Sequence, residues 1–405
     1  MEPSREPIVT KAVRYDEWLV PTNPHLLDLA QSLYNELEAN TPSPALFHPK
    51  TAARKLAMVQ CLIANFALLI ALNGSEASLI ISAKNGARTR YQRSEFAKKA
   101  FMGIVRGLES LGYIVRHPGI ANKVQTTLKP SESLLALFPK QPHPHMVSRL
   151  EGAETIWLMC GSKKNRKPVN YSDTPRTNTM RAEMETINAS YRDVEITLHG
   201  NPQGPVHLVR MFRTGSPDEE RFDSHGRIFG GFWHYLPRVQ RQGIKLNGRP
   251  IAELDFSSMF PRLAYLAAGE IPPDGDLYAD IGLPREAAKV AMAALLWRNG
   301  PMRRLPDKLK EVLGPGWNGN RVTAALALKH PTISNMFGTS CGLHLAYLKS
   351  QILVPTLLKL INRDIVTLPL HDGLLCEKGH EAECRSAMED ASEEFLGTRL
   401  PVGIK

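Results

Sequence analysis

The segment 253–269, ELDFSSMFPRLAYLAAG, places an aspartate where a predicted strand gives way to a predicted helix. Apolar side chains alternate up to Phe256, which predicts the strand, and Ser257 and Ser258 offer N-cap side chains for the helix. Capping accounts for the serines but not for Asp255, because a buried carboxylate without a positive partner is costly. We therefore expect a cation at this turn.

A second aspartate lies in a predicted hairpin turn, within DIVTLPLHDGLLCEK. Apolar residues flank His371-Asp372-Gly373, and Asp-Gly is a strong hairpin signal, so Asp372 is predicted at the tip of a two-stranded ribbon. Brought side by side in one sheet, Asp255 and Asp372 can bridge two Mg²⁺ ions about 3.5–4 Å apart. That arrangement activates a 3′-hydroxyl and neutralises a leaving pyrophosphate.

A predicted helix between the two aspartates carries cations and an aromatic residue at helical spacing. Pro284 opens it, and Arg285, Lys289, Ala293 and Trp297 follow at successive i, i+4 positions. The cations could bind the phosphates of an incoming nucleotide, and the indole could stack on a base. An amphipathic helix with cations along its rim is the alternative and stays open.

In chain order, these three segments resemble motifs A, B and C of the family A DNA polymerases, the group that includes phage-type single-subunit RNA polymerases. The resemblance covers roughly residues 226 to 405 and is specific only when the three motifs are taken together. This block is also similar to short polymerase-like proteins carried by phages and mobile elements. The matching residues are Asp255, Ser257 and Arg262 in motif A, Arg285, Lys289 and Trp297 (for tyrosine) in motif B, and His371 and Asp372 in motif C.

The sequence departs from the family pattern at three positions. Phe260 stands where motif A has a glutamate, Gly373 where motif C has one, and Arg298 where motif B has a glycine. The family's glutamate blocks a ribose 2′-hydroxyl, whereas a phenylalanine could do so by bulk, as an aromatic gate does in reverse transcriptases. Phe260 therefore favours deoxynucleotides.

The resemblance implies a template-directed nucleotidyltransferase, in the first place a DNA-directed DNA polymerase without proofreading that uses a DNA primer-template and dNTPs. It implies two Mg²⁺ ions as cofactors, with Mn²⁺ as a substitute, and other replication proteins as further partners. The implied roles are catalysis and metal binding for Asp255 and Asp372, nucleotide binding for Arg285, Lys289, Trp297 and Phe260, and support for Arg262, His371 and Ser257.

Two other functions stay open. One is an RNA polymerase or primase-like synthase, which differs from the first reading in its sugar preference. The other is a catalytically inactive, DNA-binding replication or regulatory protein, which the missing acidic residues at Phe260 and Gly373 would suit. Retention of both aspartates together with the Arg/Lys stripe argues against an inactive protein.

Composition indicates a folded chain with an anionic partner. Of 405 residues, 43% are hydrophobic, and the formal net charge is +10. No targeting segment is apparent, and the longest apolar run, Cys61 to Leu72, is too short to span a bilayer, so we expect a cytoplasmic protein without a membrane partner. The five scattered cysteines indicate neither disulfides nor a zinc site.

The N-terminal part is predicted to be helical and to end in a small basic hairpin, the outline of a winged helix. Its cations would contact DNA phosphates, although a solvated basic face is the alternative. The predicted DNA-binding residues are Lys84, Arg88, Arg90, Arg93, Lys98, Lys99, Lys123 and Lys129.

These observations together predict an α/β (α+β) fold. Residues 1–137 would form the basic, mainly helical winged-helix-like domain, and 138–180 a connector with an exposed loop. Residues 181–405 would form a right-hand polymerase palm with an antiparallel sheet and abbreviated fingers.

Overall fold

The computed structural model describes residues 12–40, 49–82, 88–120, 124–162 and 165–405. The chain forms two compact units. The first comprises the described residues up to Glu154 together with Gly200–His207, and the second comprises Thr155–His199 and Leu208–Lys405. The division between Glu154 and Thr155 falls within the segment predicted as a connector.

Helices and a small sheet make up residues 12–154. The first sheet has the strand order β1-β3-β5-β4, with β1 and β3 parallel and the other pairs antiparallel, and β2 pairs with β6. The elements are β1 (Ala12–Arg14), β2 (Leu19–Pro21), α1 (Pro24–Ala39), α2 (Pro49–Asn73), β3 (Ser78–Ile81), α3 (Lys98–Ser110), β4 (Ile114–His117), β5 (Thr126–Pro130), α4 (Glu132–Leu135), a 3-10 helix (Pro144–Met146) and β6 (Val147–Arg149).

The predicted helical character and terminal hairpin of this unit are both present, with three long helices before the hairpin. Helices α1, α2 and α3 pack on one another, and β4 and β5 form the antiparallel hairpin after α3. The sheet strands β1 and β3 were not predicted, because runs of three or four residues are too short for periodicity to identify. The winged-helix assignment stays a prediction.

Helix α2 combines length with an apolar composition. Its segment Thr51–Asn73 is long and apolar enough, by length and composition, to cross a membrane, and 56% of its most apolar window is buried within the protein. Core helices of soluble proteins give the same signal. The run Cys61–Leu72 is the C-terminal half of this longer helix, which begins earlier than its apolar stretch indicates.

Residues 155–405 carry the larger part of the fold. The elements are β7 (Ile156–Cys160), β8 (Lys167–Pro168), α5 (Pro175–Ala189), β9 (Ile196–Leu198), β10 (Asn201–Pro202), β11 (Val209–Thr214), β12 (His225–Phe229), a 3-10 helix (Phe232–Tyr235), α6 (Arg238–Arg241), β13 (Ile244–Leu246), β14 (Arg249–Phe256), α7 (Met259–Ala267), α8 (Arg285–Trp297), α9 (Asp307–Leu313), α10 (Gly319–Lys329), a 3-10 helix (Pro331–Met336), α11 (Gly342–Ile361), β15 (Thr367–Leu370), β16 (Gly373–Glu377), α12 (Glu381–Leu396) and β17 (Val402–Ile404).

An antiparallel sheet organises the second unit. Its strands follow the order β9-β13-β14-β16-β15, and β17 pairs with the end of β14. Apolar side chains of α7, α8, α11 and α12 form one core with those of β14 and β16. The mixed α/β class and the antiparallel sheet are as predicted, and the palm assignment stays a prediction.

The segment 138–180 differs from the predicted connector. It contributes β6, β7, β8 and the first turn of α5, and β7 pairs in parallel with β11 inside a sheet of order β12-β11-β7-β8. The apolar run Ile156–Cys160 is only five residues long and is flanked by proline- and lysine-rich sequence. That flanking composition concealed a buried strand.

Candidate active site

Strand pairing brings the two predicted catalytic aspartates to one end of the antiparallel sheet. Asp255 on β14 is in register with Gly373 on β16, and Asp372 is the residue before Gly373. Because β15 and β16 are joined by only His371 and Asp372, the second carboxylate lies in the tight turn that the sequence predicted. The two carboxylates therefore belong to neighbouring strands and interact electrostatically.

Close backbone packing explains the glycine at position 373. A Cβ atom added at Gly373 would overlap the carbonyl oxygen of Leu254 and lie 2.9 Å from the Cα of Asp255. Only glycine fits this approach of β16 to β14. Position 373 therefore cannot carry a third carboxylate, because no side chain fits there.

Both turns contain a residue in the left-handed region. Ser258 has φ 51° and His371 has φ 56°, values that non-glycine residues adopt rarely and at a cost of about 1–3 kcal/mol each. The predicted capping role of Ser258 is wrong, because its hydroxyl donates to Asp276 Oδ1 at 3.2 Å and makes no side-chain cap. Ser257 is exposed and also provides no cap for α7.

Asp255 has one oxygen paired and one unpaired. Its Oδ2 contacts Lys405 Nζ, which also lies 3.6 Å from Glu253 Oε1, and Arg241 binds Glu253 at 2.9 Å. Its Oδ1 is buried and has no hydrogen-bond partner among the described residues. Burial, together with the charge of Asp372, raises the pKa of Asp255 to about 6. The expected positive partner exists, but it satisfies only half of the carboxylate.

Asp372 is held by a buried lysine, with an arginine nearby. Lys349 Nζ lies 3.1 Å from Asp372 Oδ2, and the side chain of Lys349 is only 3% exposed. Burial by itself raises the pKa of Asp372, but Lys349 and then Arg227 outweigh it and bring this pKa below its usual value. Asp372 is therefore charged in the neutral pH range.

An aromatic and cationic cluster adjoins Asp372. Lys349 Nζ lies 4.4 Å from the ring centre of Phe260, and Arg227 lies over Trp297 at 5.3 Å and over Phe260 at 5.9 Å. The rings of Phe260 and Trp297 meet edge to face at 6.0 Å. Such contacts fix Phe260 beside the carboxylates.

A cleft of about 1310 Å³ joins the two turns to helix α8. Its lining includes both aspartates, Phe260, Arg285 and Lys289, so the structure brings these five predicted residues together. Arg262, His371 and Ser257 also line the cleft.

Trp297 is absent from the lining of this cleft and packs against Phe260 instead. The physical reason is helical drift: at about 100° per residue, three steps of four residues rotate a side chain about 120° away from the first. The predicted stripe therefore holds for its first three members, Arg285, Lys289 and Ala293, and fails at the fourth.

The cations at the cleft differ in what they contact. Arg285 binds Asp276 and lies 3.2 Å from Glu286, with just over half of its side chain exposed. Buried Arg262 donates to the backbone carbonyls of Ser257, Pro273 and Gly275, at 3.0, 3.2 and 2.7 Å. Arg262 thus fixes the loop before α8.

The donor set fits a divalent cation that is completed by substrate. Mg²⁺ in nucleotide enzymes takes one or two carboxylates together with phosphate oxygens. Asp255 and Asp372 supply the two carboxylates, and the buried, unpartnered Oδ1 of Asp255 is a free ligand atom. Among the described residues, no group of three or more histidine, cysteine, aspartate or glutamate side chains could hold a metal by itself.

The predicted DNA-binding cations of the first unit are mostly engaged within that unit. Lys84 and Lys123 lie outside the described residues, and Lys99 is exposed. The remaining contacts are Arg88 to the carbonyls of Arg93 and Ser94, Arg90 to Glu154 at 2.8 Å, Arg93 to Glu95 at 3.2 Å, Lys98 to Ser82 at 3.3 Å and Lys129 to Glu76 at 2.7 Å.

Sequence reasoning missed three residues that contact the aspartates or their aromatic neighbours: Arg227, Lys349 and Lys405. One signal for Lys349 was available, because it interrupts the otherwise apolar face of α11, where ten or more neighbours are buried. Arg227 lies in a glycine-punctuated stretch, GRIFGG, without periodicity. Lys405 is 150 residues from Asp255, and no local pattern connects them.

Comparisons with known proteins found only distant similarity to solved structures. No protein-family model and no curated protein matches the chain. Among solved structures, the chain is similar to the POL domain of Pol1 from M. smegmatis in complex with a DNA primer-template and dNTP. The identity is 10%, the TM-score is 0.32, and the match covers 96% of this chain and 67% of that one. We base the function proposed below on the site geometry.

Proposed function

We propose that this protein is a template-directed nucleotidyltransferase, a DNA polymerase that extends a primer with dNTPs. The observation that carries the proposal is the placement of Asp255 and Asp372 on adjacent strand ends, in one cleft with Arg285 and Lys289. Paired carboxylates opposite exposed cations match a substrate that carries both a nucleophilic hydroxyl and a triphosphate.

Asp255 and Asp372 would hold Mg²⁺, or Mn²⁺ in its place. When bound, the metal would supply Lewis-acid stabilisation of phosphoryl charge and a lower pKa for the attacking 3′-hydroxyl. The unpaired Oδ1 of Asp255 supports this role, because a buried carboxylate oxygen without a partner is costly unless a ligand completes it.

Lys289 and Arg285 lie one helical turn apart on α8 and would orient the triphosphate. Lys289 is the readier of the two, because Arg285 is bound to Asp276 and must exchange that carboxylate for phosphate. Exposed ion pairs of this kind contribute about 0–1 kcal/mol, so the exchange is inexpensive.

Phe260 would act as the sugar gate. Its ring is fixed by Lys349 and Trp297, and it lines the same cleft as the carboxylates. A fixed ring beside the sugar position excludes a 2′-hydroxyl by volume, which favours dNTPs over ribonucleotides. The exposed cations of the first unit, with Lys99 as the clearest case, would bind phosphates of the primer-template.

Primer extension tests the proposal. The assay uses a primed single-stranded DNA template, with dNTPs or ribonucleotides, and either Mg²⁺ or Mn²⁺. We expect templated extension by the wild type, none by Asp255→Asn or Asp372→Asn, and faster extension with dNTPs. Extension only with ribonucleotides would instead indicate an RNA polymerase or primase-like synthase. Absence of extension by the wild type under every condition, with DNA binding intact, would indicate an inactive DNA-binding protein.

A further inference from the structure

Lys349 is a buried cation at a site that is expected to bind cations. Its side chain is 3% exposed, its Nζ is 3.1 Å from Asp372 Oδ2, and Phe260 covers it at 4.4 Å. Burying a lysine costs several kcal/mol before pairing, and a buried ion pair rarely returns more than that cost. Stability alone therefore does not explain a lysine at this position.

The charge balance of the cleft shows what Lys349 changes. Motifs A and C contribute only two carboxylates here, because Phe260 and Gly373 replace the two glutamates of the family pattern. Lys349 and Arg227 place positive charge beside Asp372, and Lys405 pairs with Asp255, so each carboxylate already faces a cation. Glu253 is balanced separately by Arg241.

The two lysines at the aspartates differ in how easily they can leave. Lys405 is 36% exposed and can turn from Asp255 into solvent when a ligand arrives. Lys349 projects from the middle of α11, is enclosed by Phe260, and has no such path. Asp372 Oδ2 therefore stays beside the amino group of Lys349 when a ligand arrives.

We propose that Lys349 is a positioning residue that weakens divalent-cation binding to the free site and makes tight binding depend on the anionic triphosphate. The inference rests on the proposed metal-binding role of Asp255 and Asp372. Coulomb repulsion from an ammonium group a few ångströms away opposes a divalent cation strongly in a partly buried site. The negative charge of a bound triphosphate removes that opposition.

Mn²⁺ binding without nucleotide, followed by electron paramagnetic resonance of the free ion, tests the inference. We expect Lys349→Met to bind Mn²⁺ at least about tenfold more tightly than the wild type. Lys349→Arg, which keeps the charge, should retain the weak wild-type affinity. Lys359→Met is the matched control, because Lys359 lies on the same helix and pairs with Glu394 at 2.7 Å away from the cleft. Its affinity should equal that of the wild type.

A second neutral variant, Lys349→Gln, keeps a hydrogen-bond donor for Asp372 and should also bind Mn²⁺ more tightly than the wild type. Thermal unfolding checks that each variant folds. Equal or weaker Mn²⁺ binding by both folded neutral variants would overturn the inference. Addition of Asp255→Asn to Lys349→Met should abolish the gain in Mn²⁺ affinity. A gain that persists would place the ion elsewhere and would also overturn the inference.

If primer extension succeeds while the Mn²⁺ affinity of the neutral variants is unchanged, only this inference fails. If no variant binds Mn²⁺ and none extends a primer, the proposed function fails.

Discussion

The turn after β14 and the turn between β15 and β16 each present one aspartate to the same cleft, but they neutralise it differently. Asp255 has an exposed, displaceable lysine and one unpartnered oxygen. Asp372 has a buried lysine and a nearby arginine. One carboxylate therefore keeps an oxygen free for a ligand, whereas the other shares one of its oxygens with a buried lysine.

The largest expected effect tests whether the aspartates of the two turns contribute equally to the rate of primer extension. Asp255→Asn and Asp372→Asn should each lower the rate of primer extension by about a thousandfold or more, because each removes several kcal/mol of transition-state charge stabilisation. Single-turnover extension rates measure this loss. Asn247→Ala, in the hairpin turn before β14, is a control away from the cleft and should retain the wild-type rate.

The next effect concerns what Asp372 contributes to the free energy of unfolding. Asp372→Asn leaves the buried ammonium of Lys349 without its carboxylate, so we expect a loss of about 3 kcal/mol in the free energy of unfolding. Urea denaturation at pH 7 without divalent cations measures it. The double variant with Lys349→Met should recover most of that loss. A single variant as stable as the wild type would show that the ion pair has no structural role.

The contribution of Asp255 to the stability of the fold should depend on pH. Its folded-state pKa of about 6 lies above the unfolded value near 3.8, so its contribution to stability is present below pH 4 and lost as the pH rises through 6. Without divalent cations, Asp255→Asn should therefore gain on the wild type by roughly 2 kcal/mol between pH 4 and 7. Urea denaturation at both pH values gives the difference. A gap that is constant with pH would mean that Asp255 titrates normally.

The smallest expected effect concerns Phe260, which lines the same cleft as the two turns. Phe260→Ala should raise ribonucleotide incorporation by about tenfold relative to dNTP incorporation, since loss of the ring opens space at the sugar position. Competing single-nucleotide insertions measure the ratio. Phe395→Ala removes an exposed ring of α12 that is absent from the cleft lining, and it serves as the comparison. An unchanged ratio in Phe260→Ala would remove the gate role.

Short-range patterns were reliable where one element determines the outcome. The hairpin signal placed Asp372 in its turn, and the strand before Ser257 and the helix after Pro284 are present. Patterns failed where a side chain had a choice of partners. Ser258 binds Asp276 instead of capping α7, and Trp297 rotates away from the cleft. Composition also misled, since the lysine- and proline-rich segment 138–180 contains the buried strand β7.

The amino-acid sequence alone predicts which residues lie at strand ends and helix starts, because turn chemistry and periodicity act over a few neighbours. It thereby identified both aspartates and the cations of α8. Only the tertiary structure decided which charges face those aspartates. Lys349 approaches Asp372 through the packing of α11, and Lys405 reaches Asp255 across 150 residues through the pairing of β17 with β14. Such contacts depend on how whole elements pack, and no local pattern in the sequence encodes them.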